Sequence, residues 1–376
     1  MAKKRRRVDS GKGLRLVIAG GGTGGHLFPG VAVAQEFADR DQYNRVLFIN
    51  AGRSLEKRVL SELGWPSKTI AIEGIKGRGR WRQLVAAAKI PKAIWQSRRM
   101  LKQFAADAVL GVGGYSAGPV VFGARCSGIA TALHEQNQLP GVTNRILGRM
   151  VDRIYLSFAE SRDCFAGAAV KITGNPVRDE IIALAEKSKR RSEASDQDFH
   201  ILVVGGSQGA HAINMAMIQA LPLLTQERKV RITHQTGDQD LDLVKRAYEQ
   251  MQMSAVVQPF FADMADQYRR ADLIVCRAGA TTVAEITVIG KAALFIPFPY
   301  AADDHQTRNA QALVGAGAAE MIAQSELSSE ALANMINKLA NDRRQLTMME
   351  ENARALGRPN AAQEIVDDIY ELVSKI

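Results

Sequence analysis

A chain of 376 residues that is 46% hydrophobic and 23% charged exceeds one ordinary core, so two domains of a soluble globular protein are expected and a disordered or fibrous chain is excluded. No apolar run reaches the roughly 18 residues that span a bilayer, and the basic N-terminus has no apolar core behind it to make a secretory signal. The net charge of +10 favours anionic partners (nucleic acid, phosphorylated metabolites or an anionic membrane surface), while Cys126, Cys164 and Cys276 read as small hydrophobes in a reducing compartment, without disulfide or metal spacing.

The run Lys3-Lys4-Arg5-Arg6-Arg7 supplies half of the charge excess. It reads as a solvated tail over residues 1–13, with a nuclear address or nucleic-acid arm as the alternative. Leu14–Ala19 predicts a strand, followed by GGGTGGH from Gly20 to His26. A strand that ends in glycines and opens a helix offers free backbone N–H groups to a phosphate. Pro29 suits the first turn of a helix predicted over Gly30–Asp39. The spacing Gly20-x-Gly22-x-x-Gly25 fits a dinucleotide fingerprint, yet the second predicted strand, Val46–Asn50, ends without the acid that would hold a ribose. Arg53 and Ser54 leave an NADP enzyme as a minority reading. A histidine at position 26, at a helix N-terminus, is held neutral and can act as a base; packing or capping is the alternative role.

A third strand is predicted at Thr69–Ile72. Between Glu73 and Asp107 there is no acid, and Lys76, Arg78, Arg80, Arg82, Lys89, Lys92, Arg98, Arg99 and Lys102 interleave with Trp81, Ile90, Ile94, Trp95 and Leu101. This composition suits peripheral contact with anionic lipid, or else a basic solvent face. Ala108–Val112 then leads into Gly113-Gly114-Tyr115-Ser116, and Ala130–His134 into Glu135-Gln136-Asn137. Loops after parallel strands share the C-terminal sheet edge, where ligands bind in open α/β sheets. Further strands are expected at Arg153–Ser157 and Val170–Thr173.

The polar segment Lys187 to Asp198 reads as a linker, after which the rhythm restarts. Strands are predicted at Ile201–Val204, Arg231–Gln235, Ala255–Pro259, Leu273–Cys276 and Ala293–Ile296, and an amphipathic helix at Ala361–Val373. Strands separated by helical stretches predict βαβ units and parallel sheets. The second glycine loop, Gly205 to Ala210, is the expected pyrophosphate site, with Arg178 available to pair with a phosphate. Glu285 falls one turn into a helix opened by small residues, where a carboxylate can grip two sugar hydroxyls or serve the helix as a capping partner. Asp238-Gln239-Asp240 has the spacing of metal-dependent sugar transferases but reads as a solvated helix start, and no cluster has metal-ligand spacing.

Taken in order, GGGTGGHLFPGVAVA, GVGGYSAGPV, HEQNQLPGVTNR, GNPVR, GGSQGA and RAGATTVAEI resemble the MurG family, the bacterial UDP-N-acetylglucosamine:lipid I N-acetylglucosaminyltransferases of peptidoglycan synthesis. The motifs run from Leu14 to about Asn309. The resemblance implies the GT-B fold, two Rossmann-like α/β domains facing across a cleft. It implies an acceptor domain over 14–167, a donor domain over 168–355, and a last helix over 356–376 returning to the first domain. It implies donor contacts from Thr23, Gly24, Gly25, Asn137, Arg178, Ser207, Phe261 (through its backbone), Ala280, Thr281, Thr282, Val283, Ala284, Glu285 and Gln306. His26 matches the family's candidate base, with Glu135 and His134 next in line. The acceptor diphosphate would lie on Gly22, Gly113, Gly114, Tyr115 and Ser116. The expected partners are UDP-N-acetylglucosamine, lipid I, the anionic cytoplasmic face of the cell membrane and other cell-wall synthesis proteins. No cofactor, metal or nucleic acid is expected. Two rivals share parts of this pattern: a UDP-N-acetylglucosamine 2-epimerase on the same fold, and a nucleic-acid-binding protein using the basic tail.

Overall fold

Short apolar runs in this chain become strands buried on both faces, which is what a parallel sheet covered by helices requires. The computed structural model describes residues 13–72, 89–165, 167–188, 198–206, 209–224, 229–261, 263–301 and 304–375. The first half contains β1 (Arg15–Ala19), α1 (Gly24–Arg40), β2 (Arg45–Asn50), α2 (Ser54–Glu62), β3 (Ser67–Thr69), α3 (Ile90–Phe104), β4 (Ala108–Gly111), α4 (Ala117–Arg125), β5 (Ala130–Glu135), α5 (Val142–Leu147), β6 (Arg153–Leu156) and β7 (Val170–Ile172). The second contains α6 (Asp179–Ser188), β8 (Asp198–Val204), α7 (His211–Ala220), β9 (Lys229–Gln235), α8 (Leu241–Gln250), β10 (Ala255–Gln258), α9 (Met264–Arg270), β11 (Leu273–Cys276), α10 (Ala280–Ile289), β12 (Ala292–Phe295), α11 (His305–Gly315), β13 (Ala319–Met321), α12 (Ser329–Asn341), α13 (Arg343–Leu356) and α14 (Ala361–Val373).

All strand pairs are parallel, and the two sheets run β3-β2-β1-β4-β5-β6-β7 and β10-β9-β8-β11-β12-β13. In both, chain order reverses beside the first strand, so a crevice opens between β1 and β4 and another between β8 and β11. The glycine loop after β1, and Gly205, Gly206 and Gly209 after β8, therefore line these crevices.

Several boundaries differ from the sequence reading for identifiable reasons. Helix α1 begins at Gly24, six residues before the predicted start, and encloses Pro29. The glycines are accepted as its first turn, and Pro29 withholds the N–H that would bond the Gly25 carbonyl. Strand β3 is a fully exposed edge pairing Asn50 with Thr69; it ends at Thr69, where the sequence reading began its third strand, because no buried side chain marks its true start. Strand β13, which pairs with β12, is short and only partly buried, and no apolar run announced it. Most of the linker reading, like the tail and residues 73–88, lies outside the described residues.

Helix α14 packs on α1, placing Ile365, Val366 and Ile369 in one core with Val33 and Phe37. The Tyr370 and Phe37 rings lie 5.7 Å apart. Asp368 is buried at the same interface, accepting from Arg153 Nε at 2.6 Å and Tyr155 OH at 3.0 Å, and pairing with Lys171. These donors hold its carboxyl below the usual range against the opposing effect of burial. The contribution is complete above the ordinary carboxylate pKa and fades as pH falls through the depressed one. Asp368→Ala strands a buried tyrosine hydroxyl and two cations, and a loss of about 2 kcal/mol in urea unfolding is expected. An unchanged midpoint would show that the apolar contacts alone hold α14.

Candidate active site

The two loops of the first crevice interlock through backbone that only glycine permits. Gly20, Gly21 and Gly22 all have positive φ, and a Cβ on Gly20 would stand 2.1 Å from the Gly113 carbonyl oxygen. Gly21 N donates to that same oxygen at 3.2 Å. Beyond them Thr23 caps α1 without a side-chain capping bond and is exposed. The first-turn N–H groups of Gly24 and Gly25 find no carbonyl within the helix and face an anion site. Beneath Gly21 lies the buried carboxylate of Glu56, which accepts from Arg53 N at 2.7 Å and whose Oε1 has no hydrogen-bond partner among the described residues. Arg53 donates to the Gly22 carbonyl at 3.2 Å, which commits the guanidinium that an NADP phosphate would need.

His26 stands in the first turn of α1 with its ring against Gly113, where a Cβ would lie 2.9 Å from Nδ1. Its Nδ1 meets Gln136 Oε1 at 3.0 Å. Burial lowers its pKa most; Glu135, Gln136 and the Val112 carbonyl oppose that shift, and His305 adds to it. The imidazole is therefore neutral at pH 7 and able to accept a proton.

The other two candidates for proton transfer are built into the scaffold. His134 is fully buried and held neutral, its pKa lowered to about 4 by desolvation, with Nε2 3.3 Å from the Gly174 carbonyl oxygen and Nδ1 3.1 Å from Gln136 Nε2. Glu135 accepts from Asn137 N at 3.0 Å, Gly141 N at 3.1 Å and Asn144 Nδ2 at 2.8 Å. Its carboxylate shapes the loop that presents Asn137. Asn137 Oδ1 in turn accepts from Asn309 Nδ2 at 3.4 Å, and Gln138 N donates to Asn309 Oδ1 at 3.3 Å. Asn309 is buried on α11 in the other domain. Of the acceptor candidates, Gly114 crosses Gly21, with a Cβ position 2.6 Å from its oxygen, Tyr115 is 40% exposed at the crevice mouth, and Ser116 is buried at the start of α4.

In the second crevice Ser207 lies outside the described residues. Gly209 approaches Thr236 so closely that a Cβ would stand 1.9 Å from its carbonyl oxygen. Gln235, which the sequence did not single out, donates to Gly206 O at 3.0 Å and accepts from Phe261 N at 3.0 Å. Phe261 thus keeps only its carbonyl for a ligand, and its side chain is core. Asp240 accepts from Asn214 Nδ2 at 2.8 Å and pairs with His211 at 3.0 Å. Asp240 is therefore tied to the first turn of α7, and among the described residues no group of three or more acid, histidine or cysteine side chains could hold a metal.

Helix α10 opens at Ala280 after Gly279, which has no side chain to cap it. The N–H groups of Ala280, Thr281 and Thr282 precede the first intrahelical bond, whereas Val283 N donates to the Gly279 carbonyl at 2.9 Å and its side chain belongs to the core. Thr281 Oγ1 donates across the cleft to the Gly25 carbonyl at 3.3 Å, the acceptor that Pro29 leaves unused. Thr282 and Ala284 are half-buried on the same helix. Glu285 is 5% exposed; its Oε1 accepts from Arg178 Nη2 at 2.9 Å and its Oε2 from Tyr268 OH at 3.0 Å. Arg178 also lies 5.1 Å from the Phe28 ring of α1, so it touches both domains. Gln306 Oε1 accepts from Phe298 N at 3.0 Å, which leaves its amide N–H groups for a ligand. The geometry brings two helix N-termini and a neutral histidine to the walls of one cleft, an arrangement suited to group transfer from a diphosphate.

Residues 16–156 match the glycosyltransferase family 28 N-terminal domain, and residues 200–365 match the glycosyltransferase family 28 C-terminal domain. The chain is 49% identical over 361 residues to a protein of Syntrophus aciditrophicus named UDP-N-acetylglucosamine:N-acetylmuramyl-(pentapeptide) pyrophosphoryl-undecaprenol N-acetylglucosamine transferase, covering 96% of this chain and 99% of that one. A protein of the same name from Geobacter sulfurreducens is 49% identical over 366 residues, covering 96% and 100%. The crystal structure of Acinetobacter baumannii MurG superposes with a TM-score of 0.77 at 36% identity, covering 95% of this chain and 99% of that one. A UDP-GlcNAc 2-epimerase from Neisseria meningitidis gives a TM-score of 0.67 at 14% identity, covering 95% and 99%, a likeness of fold alone.

Proposed function

The chain belongs to the MurG family of glycosyltransferase family 28, and from that premise we propose how its cleft works. The protein is a hexosyltransferase of GT-B fold that moves N-acetylglucosamine from UDP-N-acetylglucosamine to lipid I, giving lipid II. The C4 hydroxyl oxygen of the acceptor attacks the anomeric carbon as the bond from that carbon to the UDP phosphate oxygen breaks. One displacement inverts the anomeric centre, UDP carries away the electron pair, and the acceptor proton passes to His26 Nε2. The first turn of α10, the second glycine loop and Arg178 stabilise the departing diphosphate. Thr23 to Gly25, at the start of α1, contact the donor from across the cleft, and the loops at Gly22, Gly113, Gly114, Tyr115 and Ser116 hold the acceptor diphosphate. Asn137 and Gln306 contact the donor from opposite domains, and Glu285 takes the ribose hydroxyls.

The observation that supports this reading best is the bond from Thr281 to Gly25, which joins the first turn of α10 to the first turn of α1, the turn that carries His26. Labelled UDP-N-acetylglucosamine with a lipid I analogue should yield a lipid-linked disaccharide, and without the acceptor the donor should persist unchanged. Release of N-acetylmannosamine or its UDP ester would point to the epimerase instead.

Membrane attachment belongs to the face formed by α3, α4 and α5. No helix among the described residues is long and apolar enough to cross a bilayer. Trp95 is 61% exposed, Ile146 58% and Val142 47%, on helices that pack side by side. Arg99 lies 5.8 Å from the Trp95 ring, and Lys92 and Lys102 are exposed on the same helix. This mixture suits an anionic lipid surface. Trp81 and the cations from Lys76 to Arg82 lie outside the described residues. Replacing Lys92, Arg99 and Lys102 with glutamine should weaken co-sedimentation with anionic vesicles about 100-fold, at about 1 kcal/mol per cation. Deleting residues 1–10 should cost less. A triple variant that sediments normally while the deletion does not would move the anchor to the tail.

A further inference from the structure

Gln136 sits between the two histidines of the acceptor domain, 1% exposed, and joins them. Its Nε2 is 2.8 Å from the Val112 carbonyl oxygen and 3.1 Å from His134 Nδ1, and its Oε1 is 3.0 Å from His26 Nδ1. A carbonyl oxygen only accepts, so the atom facing Val112 is the NH2 group and the atom facing His26 is the oxygen. The far end of the chain agrees. His134 Nε2 faces the Gly174 carbonyl oxygen at 3.3 Å, so Nε2 carries the proton of this neutral ring and Nδ1 is left to accept from Gln136.

We propose that Gln136 is a positioning residue that holds His26 as the Nδ1–H tautomer, leaving Nε2 with the lone pair that accepts the proton of the attacking hydroxyl. The inference rests on the reading of His26 as the base. Donation runs in one direction: His26 Nδ1–H to Gln136, Gln136 N–H to His134, and His134 Nε2–H to Gly174. Gly174 belongs to the crossover between the two domains, where its positive φ lets its Cα lie against Arg358 and a Cβ would stand 2.4 Å from the Arg358 Cβ. The orientation of the base is thereby tied to the connection between the domains. A neutral amide does the orienting that a carboxylate does in a Ser-His-Asp triad. The difference is chemical: an amide fixes the tautomer without raising the imidazole pKa as a full negative charge would.

The test uses the full-length enzyme with 15N-labelled histidine. Its six histidines allow His26 to be assigned by the signal lost in His26→Asn. Long-range proton–nitrogen spectra of the wild type should show a protonated Nδ1 and a pyridine-like Nε2 at His26. Gln136→Leu should loosen that tautomer, leaving the Val112 carbonyl alone to support it, and lower kcat about 10- to 100-fold, less than the roughly 100- to 10,000-fold that general-base catalysis supplies as a whole, with KM for UDP-N-acetylglucosamine within about twofold. Gln136→Glu keeps an acceptor toward His26 but charges it. The titratable groups already acting on the ring are Glu135 and His305, with neutral His134 beyond the amide. An added carboxylate favours the imidazolium, so the acid limb of the kcat profile should move to higher pH. A wild-type His26 protonated at Nε2 overturns the proposal. So does a folded Gln136→Leu enzyme with native tautomer and native kcat. Near-normal turnover of His26→Ala would instead overturn the base assignment, while the wild-type spectrum still decides the tautomer.

Discussion

His26→Ala is expected to lower kcat by about 100-fold or more while donor affinity stays within about twofold. The imidazole lies in the first turn of α1, close to Gly25, whose carbonyl accepts from Thr281 of the donor domain. It therefore faces the place where acceptor and donor meet. A base matters where the proton moves, which is in the transition state, so its loss appears in turnover rather than in ground-state binding. The pH profile carries the same signature. Burial sets the His26 pKa below its ordinary 6.5, and the neutral form is the active one. The rate should hold as pH drops past 6.5 and fail only when pH passes through the lowered value. Isothermal titration with UDP beside steady-state rates separates the cases. Equal losses in binding and turnover would make His26 a packing residue.

Glu285→Ala should cut kcat/KM for the donor roughly 30- to 1000-fold, or about 2–4 kcal/mol. The side chain has two duties. Its Oε1 accepts twice from Arg178 and its Oε2 once from the buried Tyr268 hydroxyl, so Oε2 retains a lone pair for a ribose hydroxyl. Removing it frees Arg178 from its place near the diphosphate and leaves Tyr268 without its acceptor. Structural damage alone would weaken the enzyme toward every donor equally. A 2′-deoxyribose donor distinguishes the two duties, because the wild type should discriminate against it and Glu285→Ala should not. A variant that kept the wild-type preference for ribose would place the ribose contact elsewhere.

The fold was readable where burial is two-sided. β1, β4, β8 and β11 are continuous apolar runs because helices cover both faces of their sheets, and the glycines that follow them mark the crevices. Edges were harder to read, as exposed β3 and half-buried β13 show. The start of α1 was obscured because glycine and proline, taken locally, argue against a helix that tertiary packing nevertheless forms. At the site, His26 was legible from its place after a glycine loop. Asn309 and Gln235 were not, because each acts through partners far away in the chain or in the other domain. Tyr268 reads as an ordinary core aromatic until its hydroxyl is found on Glu285. Glu135 looked like a candidate acid or base, but a carboxylate with three backbone and amide donors serves as an internal brace. No local pattern separates those two uses of a buried acid.

Pro29 bears on timing as well as shape. The N–H it lacks would otherwise occupy the Gly25 carbonyl within the helix; instead that oxygen is spare and takes a hydroxyl from the opposite domain. One neutral bond of this kind is worth about 1 kcal/mol, roughly a fivefold bias between engaged and disengaged domains. A catch of that strength holds the reactants together long enough to shed water, and thermal motion can still release it at each cycle when UDP and the lipid product depart. A pyrrolidine ring on one side of the cleft thereby helps set how long the other side stays in contact.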